Sequence, residues 1–124
     1  MRIKRNPLDI LFSRYIRLRA KGRCDCCNRE VGFKALQTCH FYGRRYLSLR
    51  YDEENVSCLC FSCHRHFHEQ PKEFVEWFSK RLGEEKFNLL QARVRVGGRI
   101  DKEAIQLYYQ TKIKEIDKVN RGIE

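Results

Sequence analysis

Asn55-Val56-Ser57-Cys58-Leu59-Cys60-Phe61-Ser62-Cys63-His64-Arg65-His66-Phe67-His68 gathers three cysteines and three histidines into one short run. Cys60 and Cys63 form a C-x-x-C turn, the spacing at which two thiolates reach one metal ion. A second such pair, Cys24 and Cys27, lies upstream, with 32 residues between the two pairs. Together they supply the four thiolates of a tetrahedral Zn²⁺ site. A disulfide framework is the alternative use of such residues, but seven cysteines cannot pair completely within one chain. Cys26 and Cys58 stand one or two residues from a ligand, and a register in which either replaces a named ligand stays open. Beyond the second pair, the spacing predicts a helix from near Cys63 to about Glu69. His64 and His68, one turn apart on it, present both imidazoles on one face.

Outward from this run the chain divides by periodicity. Leu8, Leu11, Phe12, Tyr15 and Leu18 recur at three- and four-residue steps, which predicts an amphipathic helix opening after Pro7 and ending by Gly22. Its other face carries Arg14, Arg17 and Lys21. Residues 33–51, rich in Phe, Tyr, Leu and Thr around Gly43, predict two short strands joined by a basic loop, with His40 on the first and Asn55 in the loop after the second. Downstream, Pro71 opens a helix on which Phe74, Trp77, Phe78 and Leu82 share a face, and Gly83 stops it. Gly97-Gly98 ends the next helix. A last one, about 101–118, aligns Ile105, Tyr108, Tyr109, Ile113 and Ile116. Such stripes are core rather than cofactor pocket. The expected class is α+β, one domain over 1–124: a basic N-terminal helix (1–22), a zinc-stapled centre (23–69) and C-terminal helices (70–124).

The 124 residues carry 26 Lys+Arg against 16 Asp+Glu, a formal charge of +10. All of the excess lies in residues 1–50, which hold 13 basic residues and only Asp9, Asp25 and Glu30 as acids. A basic face of this kind attracts polyanions, nucleic acid or a membrane surface, or simply keeps a protein solvated. With 42% hydrophobic and 12% aromatic residues the chain is no disordered polyelectrolyte. No apolar run approaches the roughly 18 residues of a membrane helix. The opening Met1-Arg2-Ile3-Lys4-Arg5 is not followed by an apolar stretch with a small-residue cleavage site, so a cytoplasmic, intracellular protein is expected.

The order His40, Asn55, His64 inside two C-x-x-C pairs resembles the HNH nucleases, whose ββα-metal fold packs a two-stranded hairpin on a helix. Within them, residues 11–19, Cys39-His40-Phe41-Tyr42-Gly43-Arg44-Arg45 and Leu49-Arg50-Tyr51-Asp52-Glu53-Glu54-Asn55 are similar to the NinG (Rap) phage recombination proteins and their prophage relatives. Pro71-Lys72-Glu73-Phe74 and Lys80-Arg81-Leu82-Gly83 fit the same group, and the likeness covers roughly residues 10–90.

The resemblance implies a role for each residue. His40 would be the general base, Asn55 the acceptor that orients its ring, and His64 with His68 the ligands of a catalytic Mg²⁺, Mn²⁺ or similar ion. Arg44, Arg45 and Arg50 would grip phosphates, and the basic face of the first helix would extend that footprint. The implied reaction is hydrolysis of a DNA phosphodiester, on branched or recombining DNA in a phage or prophage setting, with no organic cofactor and no membrane partner. One departure stands out. Many HNH enzymes carry an acid or His directly before the base, and Cys39 occupies that place here, either as a soft metal ligand or as a small buried strand residue. A zinc-stabilised DNA-binding accessory protein without effective catalysis is the second expectation. The terminal helix offers a surface for self-association, and no oligomeric state follows from the sequence.

Overall fold

The computed structural model describes residues 5–122, so residues 1–4 of the expected N-terminal segment lie outside the described residues. Helix α1 (Pro7–Arg19) starts where Asn6 Oδ1 accepts the Leu8 backbone N–H at 2.9 Å, with Pro7 at the first helical position. Lys21 and Gly22, at φ 55° and 78°, turn the chain away after it ends. The helix buries Leu8, Phe12, Tyr15 and Ile16, while Leu11 and Leu18 of the predicted stripe stay half-buried.

Strands β1 (Leu36–His40) and β2 (Val56–Cys60) pair antiparallel, with Leu36 opposite Cys60 and His40 opposite Val56. This corrects the expectation of two strands within residues 33–51. Only the first lies there, and residues 41–55 form the long connection, wound through single 3₁₀ turns at Leu47–Leu49 and Glu53–Asn55. The second strand is buried along its whole length, so it shows no alternation to read. Asn55 consequently precedes β2 instead of following it.

Helix α2 (Phe61–Glu69) begins directly on Cys60, two residues before the predicted start, and packs on both strands. Helices α3 (Pro71–Leu82), α4 (Glu84–Val96) and α5 (Lys102–Asn120) follow the predicted breaks at Gly83 and Gly97-Gly98. The described residues thus form a mixed α+β structure of five helices and one two-stranded sheet. None of these helices is long and apolar enough to cross a membrane.

Two apolar clusters hold the elements. In the larger, α5 lies against α1, which packs on the sheet, with Tyr109 5.0 Å from Phe12 between ring centres. In the smaller, Leu49, Phe78 and Leu90 join the α3–α4 hairpin to the β1–β2 connection, and Phe41 stacks on Phe78 at 4.4 Å. Ion pairs add direction. Arg81 of α3 reaches Asp25 at 2.9 Å, and Arg93 of α4 reaches Asp52 and Glu54 at 3.0 and 3.1 Å.

Candidate metal site and histidine cleft

Cys24 and Cys27 lie on a tight turn after α1, closed by Cys24 N–H to Arg29 C=O at 3.1 Å and Asn28 N–H to Cys24 C=O at 3.0 Å. Asn28, at φ 62°, takes the left-handed position this turn requires. Cys60 ends β2 and Cys63 lies in the first turn of α2, so the strand–helix junction sets their spacing. The four sulfurs all lie within 4.8 Å of one another. Cys27 Sγ and Cys60 Sγ are 3.8 Å apart, close to the edge of a tetrahedron with Zn–S bonds of about 2.3 Å. All seven cysteines are free thiols. This donor set is compatible with a bound metal ion such as zinc. Arg29 Nη2 approaches Cys60 Sγ at 3.8 Å, and its hydrogen bonding pulls the Cys27 thiol down to about 6, favouring the thiolate a metal takes. Cys26 and Cys58 fall outside the set of four. Burial pushes the Cys58 thiol up to about 12, which suits a neutral core residue.

The knuckle is bound to the sheet through Asp25. Its N–H donates to the Cys58 carbonyl at 2.8 Å and its Oδ2 accepts the Cys58 N–H at 2.7 Å. Neither this role of Asp25 nor that of Arg29 was read from the sequence. The signal available was position alone, inside one C-x-x-C turn and two residues past it.

A cleft of about 510 Å³ opens between β1 and α2, lined by Thr38, Cys39, His40, Gly43, Arg44, His64 and His68, with Leu59, Phe67, Pro71 and Phe74 as its apolar wall. The imidazoles of His64 and His68 are 6.4 Å apart between ring centres. His40 Nε2 lies 2.8 Å from the Arg50 carbonyl. A carbonyl only accepts, so Nε2 carries the proton and Nδ1 the free lone pair. Burial holds His40 below the usual imidazole range, which favours the neutral ring. Among the described residues, no carboxylate lines this cleft.

Several expected roles change. Asn55 is fully buried and does not orient His40. Its Oδ1 accepts the Tyr42 N–H at 2.9 Å, and its Nδ2 donates to the Tyr42 and Leu49 carbonyls at 2.9 and 3.1 Å. The Arg50 carbonyl takes the place assigned to it. Arg50 itself is not a free phosphate ligand, because its guanidinium is engaged at two points by Asp9. Arg44 borders the cleft, 64% exposed and 4.0 Å from Asp9. Arg45 folds over the Tyr46 ring at 4.8 Å. Arg14 is exposed on α1. Arg17 and Lys21 are drawn away from the histidines: they line a separate cleft of about 710 Å³ at the C-terminal ends of α1 and α5, and Arg17 covers the Phe33 ring at 4.2 Å.

Cys39 is buried, and that burial pushes its thiol up to about 12. It reaches the cleft lining, but the four-cysteine cluster is the one group of three or more close His, Cys, Asp or Glu donors among the described residues, and Cys39 is not part of it. His66 turns to Glu73 instead of the cleft. Compared with known proteins, the chain matches no family model, no curated protein and no solved structure.

Proposed function

We propose that the protein is a metal-dependent DNA endonuclease of the HNH type, its ββα-metal core made of β1, β2 and α2. One observation carries this reading: His40, its Nε2 held 2.8 Å from the Arg50 carbonyl, shares a cleft with a helix-borne histidine pair. His40 Nδ1 would take a proton from water, whose oxygen attacks phosphorus. The P–O3′ bond breaks, leaving a 5′ phosphate and a 3′ hydroxyl. A divalent ion held by His64 and His68 would supply charge neutralisation at the phosphate and the departing oxygen. Arg44 at the cleft edge supports contact with the adjacent phosphate, and the resemblance points to branched or recombining DNA as substrate.

Nitrogen donors without a carboxylate favour Mn²⁺, Ni²⁺ or another transition ion over Mg²⁺, which prefers oxygen. Nicking of supercoiled plasmid is therefore expected to be faster with Mn²⁺ or Ni²⁺ than with Mg²⁺, and to fall by about 10² or more in His40→Ala. The carboxylate-free cleft and the neutral Cys39 thiol also favour a second reading, a zinc-stabilised DNA-binding accessory protein. Plasmid binding by the wild type without cleavage in any of the three metals would establish that one and remove the first.

A further inference from the structure

The carbonyl that fixes the His40 tautomer belongs to a residue clamped from three directions. Leu49, just before it, has its carbonyl held by Asn55 Nδ2 at 3.1 Å. Tyr51, just after it, has its carbonyl held by the Tyr109 hydroxyl on α5. Between them, the Arg50 side chain is gripped by Asp9 in the first turn of α1, through Nε to Oδ1 at 2.8 Å and Nη2 to Oδ2. A two-point contact fixes the plane and direction of a guanidinium as well as neutralising it. The Asp9 and Arg50 side chains are only 18% and 23% exposed, so this is not a pair in free exchange with water. With both neighbouring carbonyls occupied, the Arg50 carbonyl is the one left for His40 Nε2.

We infer that Asp9 is a positioning residue: by gripping the Arg50 side chain across 41 residues of sequence, it holds the Arg50 carbonyl where it accepts the Nε2–H hydrogen bond of His40 and leaves the Nδ1 lone pair free. The fork geometry of the pair carries this role. The consequence for catalysis rests on His40 as general base, whereas the consequence for the tautomer does not.

Two readouts on the zinc-loaded protein separate these. The first is the imidazole ¹⁵N spectrum at a pH where His40 is neutral. It is expected to show one Nε2–H tautomer in the wild type and a mixture in Asp9→Asn, whose amide cannot accept both Arg50 donors. The second is Mn²⁺-dependent nicking. Asp9→Asn is expected to lower kcat about tenfold, since small misplacement of a base is costly, with KM changed by less than about twofold. Asp9→Glu should recover part of the loss. Arg50→Lys, which keeps the charge and loses the fork, disturbs the structure less and is expected to shift the tautomer in the same direction. A wild-type tautomer in both Asp9→Asn and Arg50→Lys would overturn the inference whatever the activities. A wild type that shows the single tautomer but does not cleave would remove the nuclease reading and leave the positioning role standing.

Discussion

Removing the Asn55 side chain would orphan two backbone groups at once, the Tyr42 N–H and the Tyr42 carbonyl, and would leave the Leu49 carbonyl with only the Asp52 N–H, all within the connection that shapes the His40 surroundings. Each buried group left unpaired costs about 1–3 kcal/mol, and the cavity partly relaxes, so Asn55→Ala is expected to lose about 2–4 kcal/mol in urea unfolding. A loss under about 0.5 kcal/mol would show that the amide does not organise this connection. The composition of the histidine cleft was legible in the sequence because helical spacing alone brings His64 and His68 together. The partner of Asn55 was not, because it depends on the path of residues 41–55, and turn chemistry there leaves many paths open. Asp9 escaped for a similar reason: an acid in the first turn of a helix reads as a favourable dipole contact. Only the folded chain brings Arg50 to it.

Helices α1, α3, α4 and α5 could be read because each buries one face and stops at a glycine, or at the Lys21-Gly22 turn. Strand β2 could not, since every residue from Val56 to Cys60 is buried. Its position matters more than its length. A two-stranded sheet is marginal alone in water, and here the middle of β2 is clasped at Cys58 by Asp25 while its C-terminal end passes directly into the Cys60–Cys63 turn. Bound zinc would therefore join the knuckle after α1, the end of β2 and the start of α2 into one unit. Zinc binding in such small sites is largely folding energy, of order 10 kcal/mol in the tightest cases. Stripping the metal with a strong chelator is expected to lower Tm by at least about 10 °C. Cys24→Ser should do the same, whereas Cys26→Ser, outside the cluster, should leave Tm within a few degrees. Equal melting of the chelated and untreated protein would count against a four-cysteine site.

Across the molecule, the charge imbalance seen along the sequence is redistributed by folding. An acid from the neutral second half reaches back to the basic first half, as Glu53 does to Arg19 at 3.4 Å, and Arg81 returns the exchange with Asp25 at 2.9 Å. Within the first half, Asp9 neutralises Arg50. Folding therefore sorts the described basic residues of the first 50 into those used to hold the structure and those left facing outward. Arg50 is among the first. Arg45, exposed in the connection beside the cleft, has an aromatic neighbour but no acid partner among the described residues. This division predicts different salt behaviour for two arginines that the sequence places together. If the protein binds DNA at this face, each phosphate contact releases condensed counterions, and log K falls with log salt by about 0.9 per contact. Arg45→Ala is then expected to weaken binding uniformly and flatten the slope by about 1, as the loss of one phosphate contact should. Arg50→Gln, which removes the charge, is expected to leave the slope unchanged while it lowers kcat, because the guanidinium is already neutralised by Asp9 and the residue acts through its backbone carbonyl. Affinities measured by fluorescence anisotropy from 50 to 200 mM salt on the metal-free-buffer complex give both slopes. A flattened slope for Arg50→Gln with an unchanged slope for Arg45→Ala would reverse the assignment and return Arg50 to the DNA-contacting surface.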